Sequence, residues 1–369
     1  MARPGRIERT EFAVVDTGTP EERARAERFF AMTQLWATDA LSKNPFGLVR
    51  MSDLSNETFT QEQIATIERG RTVTDSAMRI PDEGRFASPE PYVFTRLFTL
   101  ISLARVEAIR AEIERRGGAH DAATERTLRV ARLGVRLQED GPGIMGYMVG
   151  VVIEGFAVDS VRNRPGIWND PRLDTWLISA SLAPPSLEPH FRREYAFALR
   201  ALENLGEDSV VEDGELRSPN VWDRFAANFL VDRAACARLH ESNLRRIVAH
   251  GSRDFWESGC PSDSNLVGSR FVLDPFEAEL RKGAERLAGI LVTRANLQAR
   301  ARLALLSIRA SRRRFERLED LVGEGEERIL VNPMTGERWE LDPAARSIRG
   351  AAIIECKGTR SPTPLAVSY

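Results

Sequence analysis

Residues 144–161 read IMGYMVGVVIEGFAVDSV, and this stretch decides the predicted fold. It is apolar nearly all round at the length of a helix, which is typical of the central helix of a helical domain. Gly146 and Gly150 lie four residues apart and predict that a neighbouring helix approaches closely there. No stretch of the chain reaches the roughly 18 uninterrupted apolar residues that a membrane span requires.

The segments before this stretch predict two helices that pack with it. Residues 92–116 carry a wide apolar face at helical spacing and end at Gly117-Gly118. Residues 121–138 place apolar side chains on one face and arginines on another, and Gly141-Pro142-Gly143 follows them. Three helices joined by short glycine-rich turns predict antiparallel hairpins, in a bundle or in a helical repeat array.

The whole chain predicts a mainly α-helical protein with a small C-terminal β-hairpin. Further helices are predicted over 20–41, 61–70, 191–204, 219–249 and 275–317. Irregular connections are predicted at 80–91, 164–190 and 252–275. Short strands are predicted at 11–16, 329–331 and 338–341, the last two flanking the turn Asn332-Pro333-Met334-Thr335-Gly336. The predicted units are an N-terminal segment (1–90), a helical body (91–321), a hairpin cap (322–357) and a disordered tail (358–369).

The composition is that of a globular protein, with 42% hydrophobic and 29% charged residues. The 52 basic and 54 acidic side chains give a net charge of −2, so no basic excess points to a nucleic-acid partner. Residues 1–6 lack the apolar core of a signal peptide, which indicates a cytoplasmic protein if this start is native. Two alternatives remain for Cys236, Cys260 and Cys356: a disulfide bond between Cys236 and Cys260, or three buried free thiols. The free thiols are favoured. The tryptophans are predicted to be core or interface anchors.

Two places offer side chains for catalysis. Glu154 interrupts the apolar helix, where a buried acid either serves as a general acid or base or pairs with an arginine and fixes the helix register. His240, Glu241 and His250 form an H-E-x8-H arrangement. A zinc peptidase helix needs its second histidine at i+4, so this spacing predicts no metal site, and no motif predicts a cofactor. The structural interpretation is favoured at both places.

Arginines crowd the end of the last predicted helix, where eight of them and one acid, Glu316, give residues 294–317 a local charge of 8 − 1 = +7. The eight are Arg294, Arg300, Arg302, Arg309, Arg312, Arg313, Arg314 and Arg317. One interpretation is that these arginines bind phosphate groups or an anionic membrane surface. The other, which is favoured, is that they form a solvated helix face paired with acidic residues elsewhere in the protein. The binding candidates are Arg294, Arg302, Arg309, Arg312 and Arg313.

Several of these segments together resemble a recurrent C-terminal module of uncharacterised bacterial proteins. The matching pieces are the helix 290–317, FERLEDLV (315–322), NPMTGERW (332–339), PGIMGYMVGVVIE (142–154) and Arg85-Phe86. In those proteins an arginine-rich helix is followed by a His-Gly-x-Tyr-Pro turn, a Ser-Leu-x-x-Leu segment and an Asp-Pro-Phe-Thr-Gly hairpin. The last part is also similar to the C-terminal region of type II secretion pseudopilins. The resemblance covers residues 60–350.

The resemblance implies an envelope protein with an N-terminal membrane anchor and no assigned activity. Two departures matter: residues 312–316 read RRRFE in place of the His-Gly-x-Tyr-Pro turn, and Asn332 stands where the family has aspartate. The second argues against a carboxylate-dependent role of this loop, such as calcium binding. The start of the chain shows no prepilin cleavage signal, so a pilin subunit is not expected.

These observations together favour a non-enzymatic scaffold or interaction protein at the cell envelope or its periplasmic side, with another protein as its partner. The first alternative is a hydrolase-like enzyme with a site at Glu154 or at His240, Glu241 and His250. The second is a binder of anionic surfaces through residues 294–317.

Overall fold

The computed structural model describes residues 10–16, 18–38, 58–85, 94–163, 168–204, 210–212, 215–217, 232–259, 275–351 and 365–369. Within these residues the protein has 11 helices that cover 73% of them, and a three-stranded antiparallel sheet lies at the C-terminal end. The predicted fold class is therefore confirmed.

The described helices follow one another from α1 to α11. They are α1 (Pro20–Thr38), α2 (Gln61–Arg69), α3 (Arg71–Arg79), α4 (Phe94–Arg116), α5 (His120–Asp140), α6 (Gly143–Arg162), α7 (Pro171–Leu182), α8 (Glu188–Glu203), α9 (Arg233–Gly251), α10 (Phe255–Ser258) and α11 (Pro275–Arg312). Two of them begin with the predicted capping boxes. Thr19 and Glu22 exchange backbone-to-side-chain hydrogen bonds before α1, and Thr60 and Gln63 do so before α2.

The core consists of two apolar clusters that meet on opposite sides of α6. Tyr147 and Val151 belong to the cluster formed with α7, α8, α9, α11 and the C-terminal sheet. Val149 and Ile153 belong to the cluster formed with α1 to α5, so the helices before residue 90 share a core with the helical body. Of the described helices, α6 alone is long and apolar enough to cross a membrane, and 78% of its most apolar window is buried inside the protein.

A small sheet closes the C-terminal end of the fold. Its strands β3 (Glu340–Asp342), β4 (Ser347–Gly350) and β5 (Leu365–Ser368) pair antiparallel in the order β3-β4-β5. Ile348 pairs with Val367, and both side chains are buried in the cluster that contains α11. A separate two-stranded ribbon joins β1 (Val210–Glu212) and β2 (Glu215–Arg217).

The C-terminal hairpin differs from its prediction. Val331 and Arg338, at the predicted hairpin, form only an isolated bridge, and Glu327–Leu330 is a 3-10 turn. The sheet begins further on, and its third strand, β5, falls in the predicted disordered tail because the chain returns to pair with β4. Residues 358–364 lie outside the described residues.

Several predicted segments are helical where irregular or extended structure was expected. The proline-rich stretch 164–190 contains α7, because Asp170 accepts a hydrogen bond from the Arg172 N–H and Pro171 sits at the first helical position, where its missing N–H is tolerated. The predicted strand 11–16 is a 3-10 turn over Glu11–Ala13. The helix α3 was not predicted, and α10 lies in the predicted loop 252–275.

The ends of three predicted helices need correction or lie outside the described residues. The helix α11 ends at Arg312 rather than at Arg317. Residues 39–41 and 219–231 lie outside the described residues. Cys236 is buried in α9, whereas Cys260 and Cys356 also lie outside, so a Cys236–Cys260 bridge stays an open alternative.

Candidate functional site

Glu154 lies where α5 and α6 pack together. Gly134 of α5 and Gly150 of α6 face each other there, and a Cβ atom built on Gly150 would lie 2.6 Å from the Gly134 carbonyl oxygen. Glu154 is 1% exposed. Its carboxyl group accepts hydrogen bonds from Gln138 Nε2 at 2.6 Å and from Trp176 Nε1 at 2.9 Å. The close helix contact, which the glycines predicted at Gly150, thus encloses the acid.

The surroundings of Glu154 favour a structural role over an acid–base role. Burial raises the pKa of its carboxyl group, and the hydrogen bonds from Gln138 and Trp176 act in the opposite direction. In the described structure an amide and an indole occupy the place predicted for an arginine. A general acid has to lie within hydrogen-bond reach of its substrate, and this carboxyl group is surrounded by protein.

Replacing Glu154 by glutamine tests its protonation. Because the pKa of Glu154 is higher in the folded than in the unfolded protein, the protonated carboxyl group stabilises the folded state. This stabilisation is fully present below the pKa of the unfolded state, and it is lost as the pH rises through the pKa of the folded state. Within the described part of the chain Gln138 Oε1 has no hydrogen-bond partner, and after rotation of the Gln138 amide by 180° it accepts a hydrogen bond from the new glutamine side chain. We expect the free energy of unfolding of Glu154→Gln, relative to the unmodified protein, to increase as the pH rises above the ordinary glutamate value of 4.5.

The measurement is urea unfolding at several pH values. Glu27→Gln serves as the control, because Glu27 is exposed on α1 and does not act on the pKa of Glu154. A difference between Glu154→Gln and the unmodified protein that stays constant across these pH values would contradict a titrating, buried Glu154.

A buried histidine fixes the turn between α5 and α6. The ring nitrogens of His190, on α8, lie 2.6 Å from the Gln138 carbonyl oxygen and 2.8 Å from the Gly143 carbonyl oxygen. Arg193 Nη1 donates to the Gly141 carbonyl oxygen at 2.7 Å. Burial lowers the pKa of His190 to about 4, and the positive charge of Arg193 acts in the same direction. A neutral imidazole carries a proton on only one ring nitrogen. His190 therefore donates a hydrogen bond to only one of the two carbonyl oxygens, and its unprotonated nitrogen faces the other.

The residues His240, Glu241 and His250 do not form one site. His240 is buried, and among the described residues neither of its ring nitrogens has a hydrogen-bond partner. Burial lowers the pKa of His240 to about 4, so its imidazole is neutral at pH 7. Glu241 accepts hydrogen bonds from Thr10 Oγ1 and Arg245 Nε. His250 lies at the end of α9, 3.3 Å from the Gly259 carbonyl oxygen.

The same part of the chain offers no metal centre. Among the described residues, no three side chains of histidine, cysteine, aspartate or glutamate come together in a group able to hold a metal ion.

The arginines of α11 are not a solvated face. Those at 294, 300, 302, 309 and 312 all donate to protein acceptors, and all but Arg312 are buried or half-buried. Arg294, for example, donates to the carbonyl oxygens of Gly251 at 2.5 Å and Pro184 at 3.2 Å. These hydrogen bonds join α11 to the end of α9 and to the residues that follow α7.

The deepest of these contacts is made by Arg302, which is 0% exposed. Its guanidinium donates to the Val331 carbonyl oxygen at 2.6 Å, to the Ser181 carbonyl oxygen at 3.3 Å and to Asp254 Oδ1 at 3.1 Å. Arg328 approaches the same carboxylate at 2.9 Å. One guanidinium therefore connects α7, the start of α10, α11 and the C-terminal cap.

A cleft of about 380 Å³ lies beyond the end of α11. Arg309, Arg312 and Arg313 line it together with Asp174 and Glu326. Arg309 pairs with both carboxylates, and Arg312 pairs with Asp174. Of the three arginines, only Arg313 lacks an ion-pair partner in the described part of the chain. The predicted binding arginines thus come together only in part, and most of their donors are already engaged.

Asn332 is buried in the turn that the sequence singled out. Its Oδ1 accepts from the Met334 N–H at 3.0 Å, and its Nδ2 donates to the Ala351 carbonyl oxygen at 2.7 Å. An aspartate at this position has no donor for Ala351. The asparagine therefore joins the turn to the end of β4, which is a structural role.

Trp256 is the largest exposed apolar side chain next to this turn, at 47% exposure. Its backbone N–H donates to the Pro333 carbonyl oxygen at 3.1 Å. Its ring lies over Gly336, which has a φ of 76°, and a Cβ atom at Gly336 would come within 2.8 Å of the ring. A left-handed glycine thus gives an indole a fixed position at the surface.

Sequence reasoning missed the residues with the most extensive polar contacts. Asp254 lay in a predicted loop, and His190 lay in a segment that was predicted to be irregular. The one available signal for Asp254 is its position just before Phe255, where α10 begins. Trp256 was predicted to be a core or interface anchor, and its exposure places it at the surface.

The chain matches no protein-family model, no curated protein and no solved structure. The resemblance to bacterial envelope proteins therefore stays a prediction that rests on the quoted residues alone.

Proposed function

We propose that the protein is a non-enzymatic scaffold that binds another protein at the cell envelope. The observation that carries this proposal is Trp256, whose half-exposed ring lies over Gly336 and whose backbone N–H donates to the Pro333 carbonyl oxygen. Interfaces are anchored by tryptophan more than by most residues, and an anchor that is already rigid loses little entropy on binding. We call the surface formed by Trp256 and Gly336 the indole surface.

The engagement of the other polar candidates supports the same proposal. Glu154 is enclosed by Gln138 and Trp176, and Glu241 is held by Thr10 and Arg245. The arginines of α11 tie distant segments into one body. Such a frame suits a protein that presents a surface in a fixed orientation. The envelope location rests on the resemblance, and it is tested by finding the chain in the envelope fraction of the source cells rather than in the soluble fraction.

The proposal is tested by chemical cross-linking of the full chain in its source cells, followed by affinity isolation. We expect one partner protein to be recovered in near-equal amount with the unmodified chain and with Val14→Ala. Val14 is the matched control, because it is 68% exposed but lies outside the indole surface. Trp256→Ala should reduce the recovered partner by at least about tenfold, the effect of an interface anchor.

A partner recovered equally with Trp256→Ala, or no protein partner at all, would contradict the proposal. Substrate turnover by the purified chain that disappears in Glu154→Gln would support the hydrolase alternative instead. The thermal unfolding midpoint of Trp256→Ala distinguishes two causes of a lost partner. An unchanged midpoint assigns the loss to the indole surface, and a lowered midpoint assigns it to unfolding of the chain.

A further inference from the structure

One face of α6 is open although the rest of the helix is buried. Met145, Met148 and Val152 lie three and four residues apart, so they share one side of the helix. Met145 and Met148 are half-buried, and Val152 is 36% exposed. The opposite side packs on α5 through Gly150 and Glu154. An apolar stripe is therefore accessible along the central helix of the protein.

Two helices form walls on either side of this stripe. On the α4 side, the Arg105 guanidinium lies 5.7 Å from the centre of the Phe156 ring. On the α11 side, Arg300 Nη2 lies 2.7 Å from the position of a Cβ atom built on Gly155. The stripe is thus the floor of a groove between α4 and α11, which we call the α6 groove.

The rims of the α6 groove are basic. No carboxylate pairs with Arg105 in the described structure, and its Nε has no hydrogen-bond partner. Arg300 pairs with Asp159 at 2.8 Å, and its Nε also lacks a partner. The stretches 97–106 and 287–312 carry no acid, and α6 carries two: Glu154, which faces α5, and Asp159, which pairs with Arg300 and also lies 3.6 Å from Arg162. Arg105 therefore supplies positive charge on the α4 side, and Arg300 and Arg162 together exceed the single negative charge of Asp159 on the α11 side.

We propose that the α6 groove binds an amphipathic helix of a partner protein, with apolar residues on one face and acidic residues beside them. This inference rests on the proposed function, because it names a second surface of the same scaffold. Helices that dock in grooves present apolar anchors at i, i+3, i+4 and i+7, which match the spacing of Met145, Met148 and Val152. Methionine side chains adapt to such anchors because they are flexible and polarizable.

The shape of the surface favours a helix over a membrane. A lipid surface binds helices whose apolar face protrudes. Here Val152, the most exposed of the three floor residues, shows only about a third of its surface, and α4 and α11 stand on either side of it. A recessed floor is reached by a partner helix and not by a flat bilayer.

The test is a selection of helical peptides of about 18 residues from a phage-displayed library on the purified full chain. In the library, the heptad positions of the peptide that would face the groove encode mainly apolar residues, and the positions beside them are random. We expect the selected peptides to be enriched in aspartate and glutamate at the flanks. Their affinity should fall at least tenfold on Val152→Asp and on Val152→Arg, while Val14→Asp, outside the groove, leaves the affinity unchanged. Val152→Arg provides a second variant because its long side chain blocks the groove while its charge reaches water.

The charge requirement is tested on the best selected peptide. Exchanging its acidic flanks for lysine should abolish binding, and Arg105→Glu should restore part of the binding of the lysine form. Selected peptides without an acidic bias, peptides that bind Val152→Arg normally, or a selection that enriches nothing would overturn the inference. Binding of the chain to phosphatidylglycerol vesicles that is lost in Val152→Arg, without peptide binding, would assign the surface to a membrane instead. A partner that is lost with Trp256→Ala but kept with Val152→Arg would leave the proposed function standing while this inference fails.

Discussion

Replacing Arg302 by methionine is expected to lower the free energy of unfolding by about 3–5 kcal/mol, the cost of breaking a buried ion pair by removing one partner. Methionine fills much of the volume of arginine but removes the side-chain donor to the Val331 carbonyl oxygen and leaves the Ser181 carbonyl oxygen with its bond from Gln298 Nε2 alone. Among the described residues, Arg328 is then the one remaining ion-pair partner of the Asp254 carboxylate. Arg302→Lys should not restore stability, because one ammonium group cannot reach three acceptors that a planar guanidinium spans.

The measurement is urea unfolding followed by circular dichroism. The matched control is Arg314→Met, an exposed arginine beyond the end of α11, for which we expect a change within about 0.5 kcal/mol. The double variant Arg302→Met, Asp254→Asn should be less destabilised than the sum of the two single variants, since each residue compensates the charge of the other. A loss for Arg302→Met no larger than that for Arg314→Met would contradict the account of this contact.

Replacing Gly150 by alanine is expected to destabilise the protein by about 1–3 kcal/mol or more, the usual cost of overpacking a core. The added Cβ atom would lie 2.6 Å from the Gly134 carbonyl oxygen and 2.8 Å from the Gln138 backbone nitrogen. Both are backbone atoms of α5, so relief requires the two helices to separate. Separation also lengthens the hydrogen bond from Gln138 Nε2 to Glu154.

Gly289→Ala in α11 is the matched control and should have the opposite sign. No heavy atom lies within 4 Å of a Cβ atom built there. Alanine is favoured over glycine in a helix interior by about 1 kcal/mol, so a gain of up to that size is expected. The midpoints of thermal and urea unfolding of the two variants should therefore move in opposite directions. Equal shifts of the unfolding midpoints for Gly150→Ala and Gly289→Ala would contradict this prediction, because helix propensity and not close packing would then determine the stability at both positions.

The helical body was predictable because its signals are local. The apolar face of 92–116, the all-round apolar stretch at 144–161 and the glycine turns between them identify α4, α5 and α6 in the described structure. Capping boxes located the starts of α1 and α2 in the same way. These features depend on neighbouring residues alone, and no tertiary contact overrides them.

The polar sites were less predictable because their partners are distant in the chain. Arg302 meets Ser181 and Asp254, and nothing in the spacing of these residues indicates that contact. The arginine cluster was interpreted as a solvated face matched to acids elsewhere; the acids are there, but most of these arginines are buried or half-buried and also donate to backbone carbonyl oxygens. The strand β5 was missed for the same reason, because it forms only by pairing with β4.

The central claim, that the chain acts by binding a protein and not by catalysis, is tested most directly by its native mass in extracts of the source cells. A monomer has a mass of 41.3 kDa. We predict that the unmodified chain and Glu154→Gln both elute in a complex larger than the purified chain alone, and that Trp256→Ala elutes with the purified chain. Elution of the unmodified chain at the mass of the purified protein would contradict the claim, as would an identical complex for Trp256→Ala.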